Sequence, residues 1–298
     1  MRSAVRDVLR RVRPDLVHAG PIQDCAFLVA LVGFQPLLTM SWGFDLMQDI
    51  RLSGLARLAA QYALKRSTCF TSDAEVTRDK AVGLGMRPDR TRVIPWGVDL
   101  SHFRPRTTDH QDPRTFTILC NRAWEPRYGV EVLARAFVEI AAREPRARLL
   151  LMGAGSGEAR LRRILGHNGT KGRVEFVRHV PQPDLLRWYH RADLFVSPSH
   201  VDGSSVSLME AMACGLPVLV SDIPGNKEWI QDGANGWLYP DGDSKALALR
   251  ALEIARAPQR MDEIGRRARE TSEQKADWKR NAGELMRTYD EAYRFGKE

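Results

Sequence analysis

Residues 202–221 read DGSSVSLMEAMACGLPVLVS, and this stretch predicts an α/β fold with an anion site at one end of a helix. Small residues form a turn at 203–205, a helical pattern follows, and the apolar run 218–221 is typical of a buried strand. Because a helix start leaves backbone N–H groups unpaired and carries the positive end of the helix dipole, it stabilises a phosphate. Two carboxylates, Asp202 and Glu210, accompany the turn, and Glu210 can accept hydrogen bonds from two adjacent ribose hydroxyls. The stretch therefore predicts a nucleotide-sugar site.

A purely structural interpretation of the same residues stays open. Ser207 and Glu210 match a helix capping box, in which the glutamate only satisfies a backbone N–H, and Asp202 with Gly203 is a common turn pair. Neither motif requires Gly215, Pro217 and the apolar strand that follows. The whole stretch therefore favours the nucleotide interpretation.

The composition indicates a folded protein with anionic partners. A chain of 298 residues with 43% hydrophobic content can fill one large or two ordinary domains. The net charge of +8 suggests a nucleoside diphosphate, a membrane surface or nucleic acid as partner. The cysteines lack zinc-binding spacing, and we expect buried thiols in a reducing, cytoplasmic compartment. They are Cys25, Cys69, Cys120 and Cys214.

The first thirteen residues combine five arginines with valines and leucine at helical spacing. Such a helix can lie on anionic lipid or resemble a transit peptide, but an ordinary amphipathic helix with a solvated face is favoured. The longest apolar stretch, residues 26–34, is about half of what a membrane-spanning helix needs. We therefore predict no spanning segment and at most a peripheral contact with the inner face of an anionic membrane.

Strand-like and helical patterns alternate over most of the chain, which predicts parallel βαβ units. The predicted strands are Leu16–His18, Leu37–Met40, Cys69–Ser72, Val93–Ile94, Thr117–Cys120, Arg148–Met152, Val174–Phe176, Leu194–Pro198 and Val218–Ser221. The predicted helices include Gly129–Glu144, Ser156–His167, Pro183–Arg191 and Ser244–Arg256, with a further helical pattern after Asp277.

The polar stretch Arg104–Arg114 is the best linker candidate. It predicts a partial N-terminal Rossmann-like domain at 1–105 and a nucleotide-sugar-binding Rossmann-like domain at 106–276. No strand follows the helix at 277–298, so we expect it to pack back on the N-terminal domain.

The loop after the predicted strand 117–120 carries Arg122 and Arg127. Ligands bind at the carboxyl ends of strands in a doubly wound sheet, where two guanidinium groups can clamp a diphosphate. Two solvated arginines are the alternative.

The glycines at 153–157 do not match the dinucleotide fingerprint and are expected to form a turn that leads into a helix. The pattern at residues 95–99 predicts either a simple turn or a loop that places Trp96 and Asp99 at an interdomain cleft.

Together these motifs resemble the retaining glycosyltransferases of family 4, whose GT-B fold has two facing Rossmann-like domains. The resemblance covers nearly the whole chain. It is carried by residues 14–18, 93–99, Arg122 with Arg127, Asp202 with Glu210, 217–221 and 235–238. Asp202 stands where the family usually has glutamate, and Arg127 where it usually has lysine. A full member begins with a strand and a glycine-rich loop before the segment that starts here at Met1, so the resemblance implies an incomplete N-terminal domain.

The resemblance also implies roles for individual residues. Glu210 binds the ribose hydroxyls, while Asp202, Arg122 and Arg127 serve catalysis at the donor sugar and phosphates. The turn residues that complete the donor site are Gly203, Ser204, Ser205, Val206 and Ser207. On the acceptor side, His18 and Asp45 are the candidates, although a histidine frequent two residues after His18 is Gly20 and another expected near residue 42 is Trp42.

The predicted activity is transfer of a sugar from a UDP- or GDP-sugar to a hydroxyl of a polysaccharide, lipid or small glycoside, with retention. Front-face attack needs positive charge at the phosphates, and neither a metal nor another cofactor is expected. The first alternative is a non-catalytic nucleotide-sugar-binding module or a truncated, inactive fragment. An epimerase is a weaker alternative, and nucleic-acid binding, supported by charge alone, is not expected.

Overall fold

The computed structural model describes residues 1–106, 112, 114–166 and 169–297. Contacts divide the chain into two compact units. Unit 1 comprises Met1–Trp96, Val201–Ser204 and Trp278–Glu298, and unit 2 comprises Gly97–His200 and Ser205–Asp277. The predicted boundary at residue 105 thus differs from the observed division after Trp96. Residues 107–111 and 113 of the predicted linker, with His167 and Asn168, lie outside the described residues.

The elements alternate along the chain. The strands are β1 (Val17–Ala19), β2 (Leu37–Met40), β3 (Cys69–Ser72), β4 (Thr91–Val93), β5 (Phe116–Cys120), β6 (Ala147–Met152), β7 (Val174–Val177), β8 (Leu194–Ser197), β9 (Val218–Ser221) and β10 (Trp237–Tyr239). The α-helices are α1 (Arg2–Val12), α2 (Phe27–Val32), α3 (Ile50–Leu52), α4 (Gly54–Lys65), α5 (Glu75–Gly83), α6 (Val130–Arg143), α7 (Glu158–Ile164), α8 (Leu185–His190), α9 (Val206–Ala213), α10 (Pro224–Lys227), α11 (Ser244–Ala255), α12 (Pro258–Lys275) and α13 (Trp278–Phe295). Short π-helical or 3₁₀ turns lie at Ile22–Ala26, Asp45–Asp49, Pro88–Arg90, Pro126–Tyr128 and Gln182–Asp184.

Unit 1 is built on a parallel sheet with strand order β1-β2-β3-β4. Its core contains Leu37 and Phe70 from the sheet and Leu64 from α4, all nearly inaccessible to solvent. The helix α13 packs in this unit, where Asn281 donates a hydrogen bond to the carbonyl oxygen of Pro95 at 3.0 Å. The guanidinium of Arg92 and the carboxylate of Glu291 are 2.7 Å apart.

Unit 2 is built on a parallel sheet with strand order β10-β9-β8-β5-β6-β7. Its helix α6 buries Leu133, Phe137 and Ile140, spaced as one helical face, in the core. Each such side chain contributes about 1.5–3 kcal/mol on burial. The predicted α/β class with parallel sheets is confirmed.

The strand order of unit 2 reverses between β5 and β8, which are paired through Ile118 with Leu194 and Leu119 with Phe195. From β5 the chain proceeds to β6 and β7 on one side, and from β8 to β9 and β10 on the other. A crevice forms at the carboxyl ends of two strands at such a switch point, because their following loops diverge. The loops that begin at residues 121 and 198 therefore lie where a ligand site is expected.

Several local predictions need correction. The strand β10 was missed, because three residues are too few to show a period and its pairing with β9 is a tertiary contact. Cys25 is exposed, whereas the other three cysteines are buried as predicted. The short helices α7 and α8 each begin two residues later than predicted. Among the described residues, no helix has the length and apolar content that crossing a bilayer requires.

Candidate functional site

The start of α9 in unit 2 is capped by Ser205, whose Oγ accepts a hydrogen bond from the N–H of Leu208 at 3.4 Å. Ser207 lies inside the helix, and Glu210 is five residues beyond the cap. The capping-box interpretation of Ser207 and Glu210 is therefore wrong. Glu210 is not needed by the helix terminus and is available for another contact.

Arg122, from the loop after β5, lies against this helix start. Its Nη1 donates to Ser205 Oγ at 2.7 Å and to Ser207 Oγ at 3.1 Å. Its guanidinium carbon is 4.5 Å from the ring centroid of Tyr128. A fixed cation, two hydroxyls and the first N–H groups of α9 thus converge, and this is a set of donors suited to a phosphate.

Arg127 lies in the 3₁₀ turn that follows in the same loop. Its carbonyl oxygen accepts a hydrogen bond from the N–H of His200 at 2.9 Å, which joins the loop after β5 to the loop after β8. The side chain of Arg127 is partly exposed. Its role with phosphates stays a prediction.

The loop of Arg122 is also held by the glycine-rich segment after β6. The N–H of Trp124 donates to Ala154 O at 2.9 Å, and Trp124 O accepts from Gly157 N at 2.8 Å. A Cβ on Gly153 would lie 2.7 Å from the carbonyl oxygen of Arg122, so a side chain there is excluded. The segment opens α7, as predicted, and it also supports the loop that carries Arg122.

Glu210 lies on α9 with only 4% of its surface exposed. The hydroxyl of Tyr189 donates to Glu210 Oε2 at 2.6 Å, and Asn121 Nδ2 donates to the Tyr189 oxygen at 2.7 Å. Burial raises the pKa of Glu210 to about 7, although the Tyr189 hydrogen bond opposes this rise. Val206 is 40% exposed at the first turn of α9, whereas Ser207 is buried.

The segment 201–204 is grouped with unit 1, where Ser204 is bound to Asp73 at the carboxyl end of β3. Asp73 Oδ2 accepts the N–H of Ser204 at 2.7 Å, and Ser204 Oγ donates to Asp73 O at 2.6 Å. Burial raises the pKa of Asp73 to about 7, and the negative charge of the half-buried Asp202 adds to the rise. Asp73 was not predicted as a site residue.

Glycines make this arrangement possible. A Cβ on Gly203 would lie 2.6 Å from Asp73 Oδ2 and 2.7 Å from its Cγ. Gly43 has a φ of +83°, and a Cβ there would lie 2.8 Å from the backbone nitrogen of Gly203. Gly203 therefore brings its backbone close to the Asp73 carboxyl, and Gly43 brings its backbone close to Gly203; a side chain at either position would prevent the approach.

Asp45 is fully buried and serves as a hydrogen-bond acceptor for the loop after β2. Its Oδ1 accepts from Ser41 Oγ at 2.6 Å, and the same oxygen accepts the N–H groups of Trp42 at 3.1 Å and Leu46 at 3.0 Å. Its Oδ2 accepts the N–H of Ile22 at 3.0 Å. Burial raises the pKa of Asp45, and these hydrogen bonds oppose the rise. Both oxygens are therefore used within unit 1.

His18 lies at β1, and its Nδ1 is 3.0 Å from the hydroxyl of Tyr289 on α13. Its Nε2 is buried without a hydrogen-bond partner in the described part of the chain. Burial lowers the pKa of His18, so the imidazole is neutral at pH 7. The acceptor-side roles of His18 and Asp45 stay predictions.

The sequence profile described as "Glycosyl transferases group 1" matches residues 107–271, which is more than half of the chain. The chain belongs to the group 1 glycosyltransferases. The matched region contains the whole sheet of unit 2 and the residues that meet at the start of α9.

Relatives in this family carry a range of names. D-inositol 3-phosphate glycosyltransferase 2 of Catenulispora acidiphila is 33% identical over 199 residues, which cover 62% of this chain and 47% of the relative. The putative colanic acid biosynthesis glycosyltransferase WcaL of Salmonella typhimurium is 28% identical over 249 residues, covering 81% and 61%. The chain thus spans about half the length of the curated relatives it matches.

The fold of the family is also found in solved structures. The crystal structure of Anabaena HepE in complex with UDP-glucose superimposes with a TM-score of 0.84 at 22% identity, covering 96% of this chain and 81% of HepE. This likeness supports the GT-B assignment of the fold.

Sequence reasoning placed Arg122 and the start of α9 together but missed the partners that hold them. No role was predicted for Tyr189, within the predicted helix 183–191, or for Asp73, which follows the predicted strand 69–72. The position of Asp73 directly after β3 was the available signal, because loops at this edge carry ligands in α/β proteins. Asp99, in turn, accepts hydrogen bonds from Ser101 and His102 in a local turn. Among the described residues, no group of three His, Cys, Asp or Glu side chains is arranged to hold a metal ion.

Proposed function

We propose that the chain transfers a sugar from a nucleoside-diphosphate sugar to a hydroxyl acceptor, with retention of the anomeric configuration. The contact of Arg122 with Ser205 and Ser207 carries the proposal. It gathers a guanidinium, two hydroxyls and a helix start at the switch point of a parallel sheet, where phosphates are bound in many α/β proteins.

The donor is held at its diphosphate and at its ribose. The diphosphate replaces the serine hydroxyls as an acceptor for Arg122 and receives the N–H groups at the start of α9. The ribose hydroxyls donate to Glu210 in its ionised form. Arg127, Asp202 and the 203–207 turn complete the donor set by their resemblance to the family pattern. The nucleotide is UDP or GDP, and the HepE complex with UDP-glucose is a precedent for the first.

The chemistry follows from charge at the leaving group. The bond between the sugar C1 and the β-phosphate oxygen breaks, and the acceptor oxygen forms a bond to C1 on the same face. A phosphate oxygen takes the acceptor proton, so the nucleoside diphosphate leaves with that proton. Arg122 and the helix dipole stabilise the negative charge that develops, which lowers the barrier. The acceptor is a glycan or lipid-linked hydroxyl, a class suggested by the colanic acid name of WcaL.

A second candidate is a binding module without turnover. It is the alternative that the sequence leaves open, and the aligned residues cover 47% and 61% of the two relatives named above. Calorimetry with UDP, GDP and their sugars, run beside a transfer assay, separates the two functions. Binding with turnover supports the transferase, binding without turnover supports the module, and absence of binding removes both.

The role of Glu210 is tested by Glu210→Gln, which keeps the size of the side chain and removes its charge. We expect the variant to lose at least about tenfold in nucleotide affinity, because a hydrogen bond to a charged group is worth about 1.5–3 kcal/mol. Equal affinity and equal turnover of the two proteins would show that Glu210 does not bind the donor.

The same proposal includes a peripheral contact of α1 with the anionic inner face of a membrane. Val5 packs on the core of unit 1, whereas Val8 and Val12 are 46% and 62% exposed beside the exposed arginines of this helix. Co-sedimentation with phosphatidylglycerol vesicles, but not with phosphatidylcholine vesicles, is expected and should weaken in Arg6→Glu/Arg10→Glu. Equal recovery from both vesicle types would remove the membrane contact.

A further inference from the structure

One carboxylate oxygen of Glu210 is already engaged in a hydrogen bond. Its Oε2 accepts the Tyr189 hydroxyl at 2.6 Å, while no hydrogen bond to Oε1 is found among the residues that the structure describes. A carboxylate with one engaged and one open oxygen has a fixed orientation. The pair therefore presents one defined acceptor rather than a rotating group.

The Asn121 amide determines the direction of the hydrogen bond between Tyr189 and Glu210. Asn121 donates its amide hydrogen to the Tyr189 oxygen at 2.7 Å, so that oxygen acts as the acceptor there. The hydroxyl hydrogen is then left for Glu210 Oε2, since the alternative acceptor, the carbonyl oxygen of Ser207, is farther away at 3.3 Å. Asn121 directly follows β5, so this series of hydrogen bonds, from Asn121 to Tyr189 to Glu210, begins at the switch point of the sheet.

The tyrosine ring itself is firmly placed. Tyr189 is 1% exposed, and its ring lies 5.9 Å from that of Phe103 and 6.2 Å from that of Phe195 between centroids. Removal of the hydroxyl alone therefore leaves most of the packing intact. The Tyr189 hydroxyl both donates and accepts a hydrogen bond, so its orientation is fixed by its two partners.

We propose that Tyr189, oriented by Asn121, is a positioning residue that holds Glu210 ionised and aimed at the donor ribose. The inference rests on the proposed function, because it assigns a task to the same carboxylate. It adds two residues, neither of which touches the donor, to the donor site. Tyr189 acts through Glu210.

The proposed role of Tyr189 predicts a change in how nucleotide binding depends on pH. Burial raises the pKa of Glu210 and the Tyr189 hydrogen bond lowers it, so loss of the hydroxyl moves the pKa upward. Among the residues that the structure describes, the thiol of Cys214 also interacts with the charge of Glu210. Burial raises the pKa of both that thiol and the Tyr189 hydroxyl, so neither ionises between pH 6 and 9.

The experiment compares Tyr189→Phe with the wild-type chain and with Tyr239→Phe. Tyr239 is also buried in unit 2, but its hydroxyl has no hydrogen-bond partner in the described part of the chain. Binding of UDP and GDP is measured by calorimetry from pH 6 to 9. We expect Tyr189→Phe to weaken binding about tenfold at pH 7 and to approach wild type toward pH 9, where Glu210 is ionised in both. Tyr239→Phe should match wild type throughout.

A merely structural role predicts a different result. An equal loss at every pH would show that Tyr189 does not hold Glu210 ionised, and wild-type binding by Tyr189→Phe would show that it does not act on Glu210 at all. Either result would overturn the inference while leaving the proposed function in place. Asn121→Ala should shift the pH profile in the same direction, by a smaller amount. Thermal unfolding of each variant verifies that it is folded.

Failure of the proposed function is recognised separately. If the wild-type chain binds neither UDP nor GDP, the proposed function is refuted. The contact between Tyr189 and Glu210 is then tested by NMR of the Glu210 carboxyl carbon. Its ¹³C shift, assigned with Glu210→Gln, should titrate at higher pH in Tyr189→Phe than in wild type. An unchanged titration in the two proteins would refute the contact.

Discussion

Asp73 and Ser204 are joined by two reciprocal hydrogen bonds, one from the Ser204 N–H to the carboxyl at 2.7 Å and one from the Ser204 hydroxyl to the Asp73 carbonyl at 2.6 Å. They are 131 residues apart in the sequence. The pair fixes the backbone directly after Asp202, the predicted catalytic carboxylate. Its position therefore depends on a residue that no motif identified.

Asp73→Asn should change how stability depends on pH. The folded-state pKa of Asp73, about 7, is above its unfolded value near 3.8, so the folded chain binds more protons between these values. The contribution of this group to stability is therefore full below about pH 4 and is lost as the pH rises toward 7. We expect the stability of the variant, relative to wild type, to be higher at pH 8 than at pH 5. Urea unfolding at both pH values measures this difference, and a difference independent of pH would contradict it.

Gly203→Ala should destabilise the chain by about 1–3 kcal/mol, because its Cβ meets the Asp73 carboxyl in a packed region. Gly283→Ala is the matched control. Gly283 lies within α13, and a Cβ there would have nothing within 4 Å. That substitution should stabilise by about 0.5–1 kcal/mol through helix propensity. Chemical denaturation of both variants provides the comparison, and equal effects would argue against crowding at Gly203.

Arg122→Ala should weaken nucleoside-diphosphate binding by about tenfold or more, because it removes the charged donor beside the start of α9. Arg122→Lys keeps the charge but not the fork of N–H groups, so an intermediate affinity is expected. Arg135→Ala, in the same unit, is the control, since Arg135 pairs with Glu131 on the surface of α6. Calorimetry with UDP and GDP decides, and a wild-type affinity for Arg122→Ala would exclude this arginine from the site.

Arg269→Ala should destabilise the chain by about 2–4 kcal/mol. The side chain of Arg269 on α12 donates to the carbonyl oxygens of Phe103 at 2.7 Å and Ala213 at 2.6 Å, so its removal leaves both without this donor. Arg267→Ala is the control, because Arg267 is exposed and pairs with Glu263 on the same helix. Both variants are compared by urea unfolding. A loss no larger than that of the control would show that water replaces Arg269 at these carbonyls.

Local sequence was sufficient for most of the fold. The runs at 37–40, 69–72 and 218–221 form strands with the predicted bounds, because each begins with apolar residues and is followed by a polar residue. Helix ends were less accurate, since capping and fraying shift them by one or two residues. The edge strand at 237–239 depends on its pairing with β9 and had no local signal.

The candidate site was predicted in part for the same reason. Arg122 and the turn before α9 were found because ligand loops follow strands in α/β sheets and small residues mark helix starts. Tyr189 and Asp73 were not found, because a tyrosine in a short helix and an aspartate after a strand have many structural uses.

The sequence by itself determined the alternation of strands and helices and the family of the chain, and it predicted an anion site at the 202–210 stretch. These properties depend on neighbouring residues and on periodicity, which a sequence displays directly. Tertiary structure alone decided that Ser205 rather than Ser207 caps α9, that Tyr189 binds Glu210 while Asn121 binds Tyr189, and that Asp73 binds Ser204. Each of these depends on the distance and burial of groups from separate elements, and burial changes both the partners and the pKa of a carboxyl group.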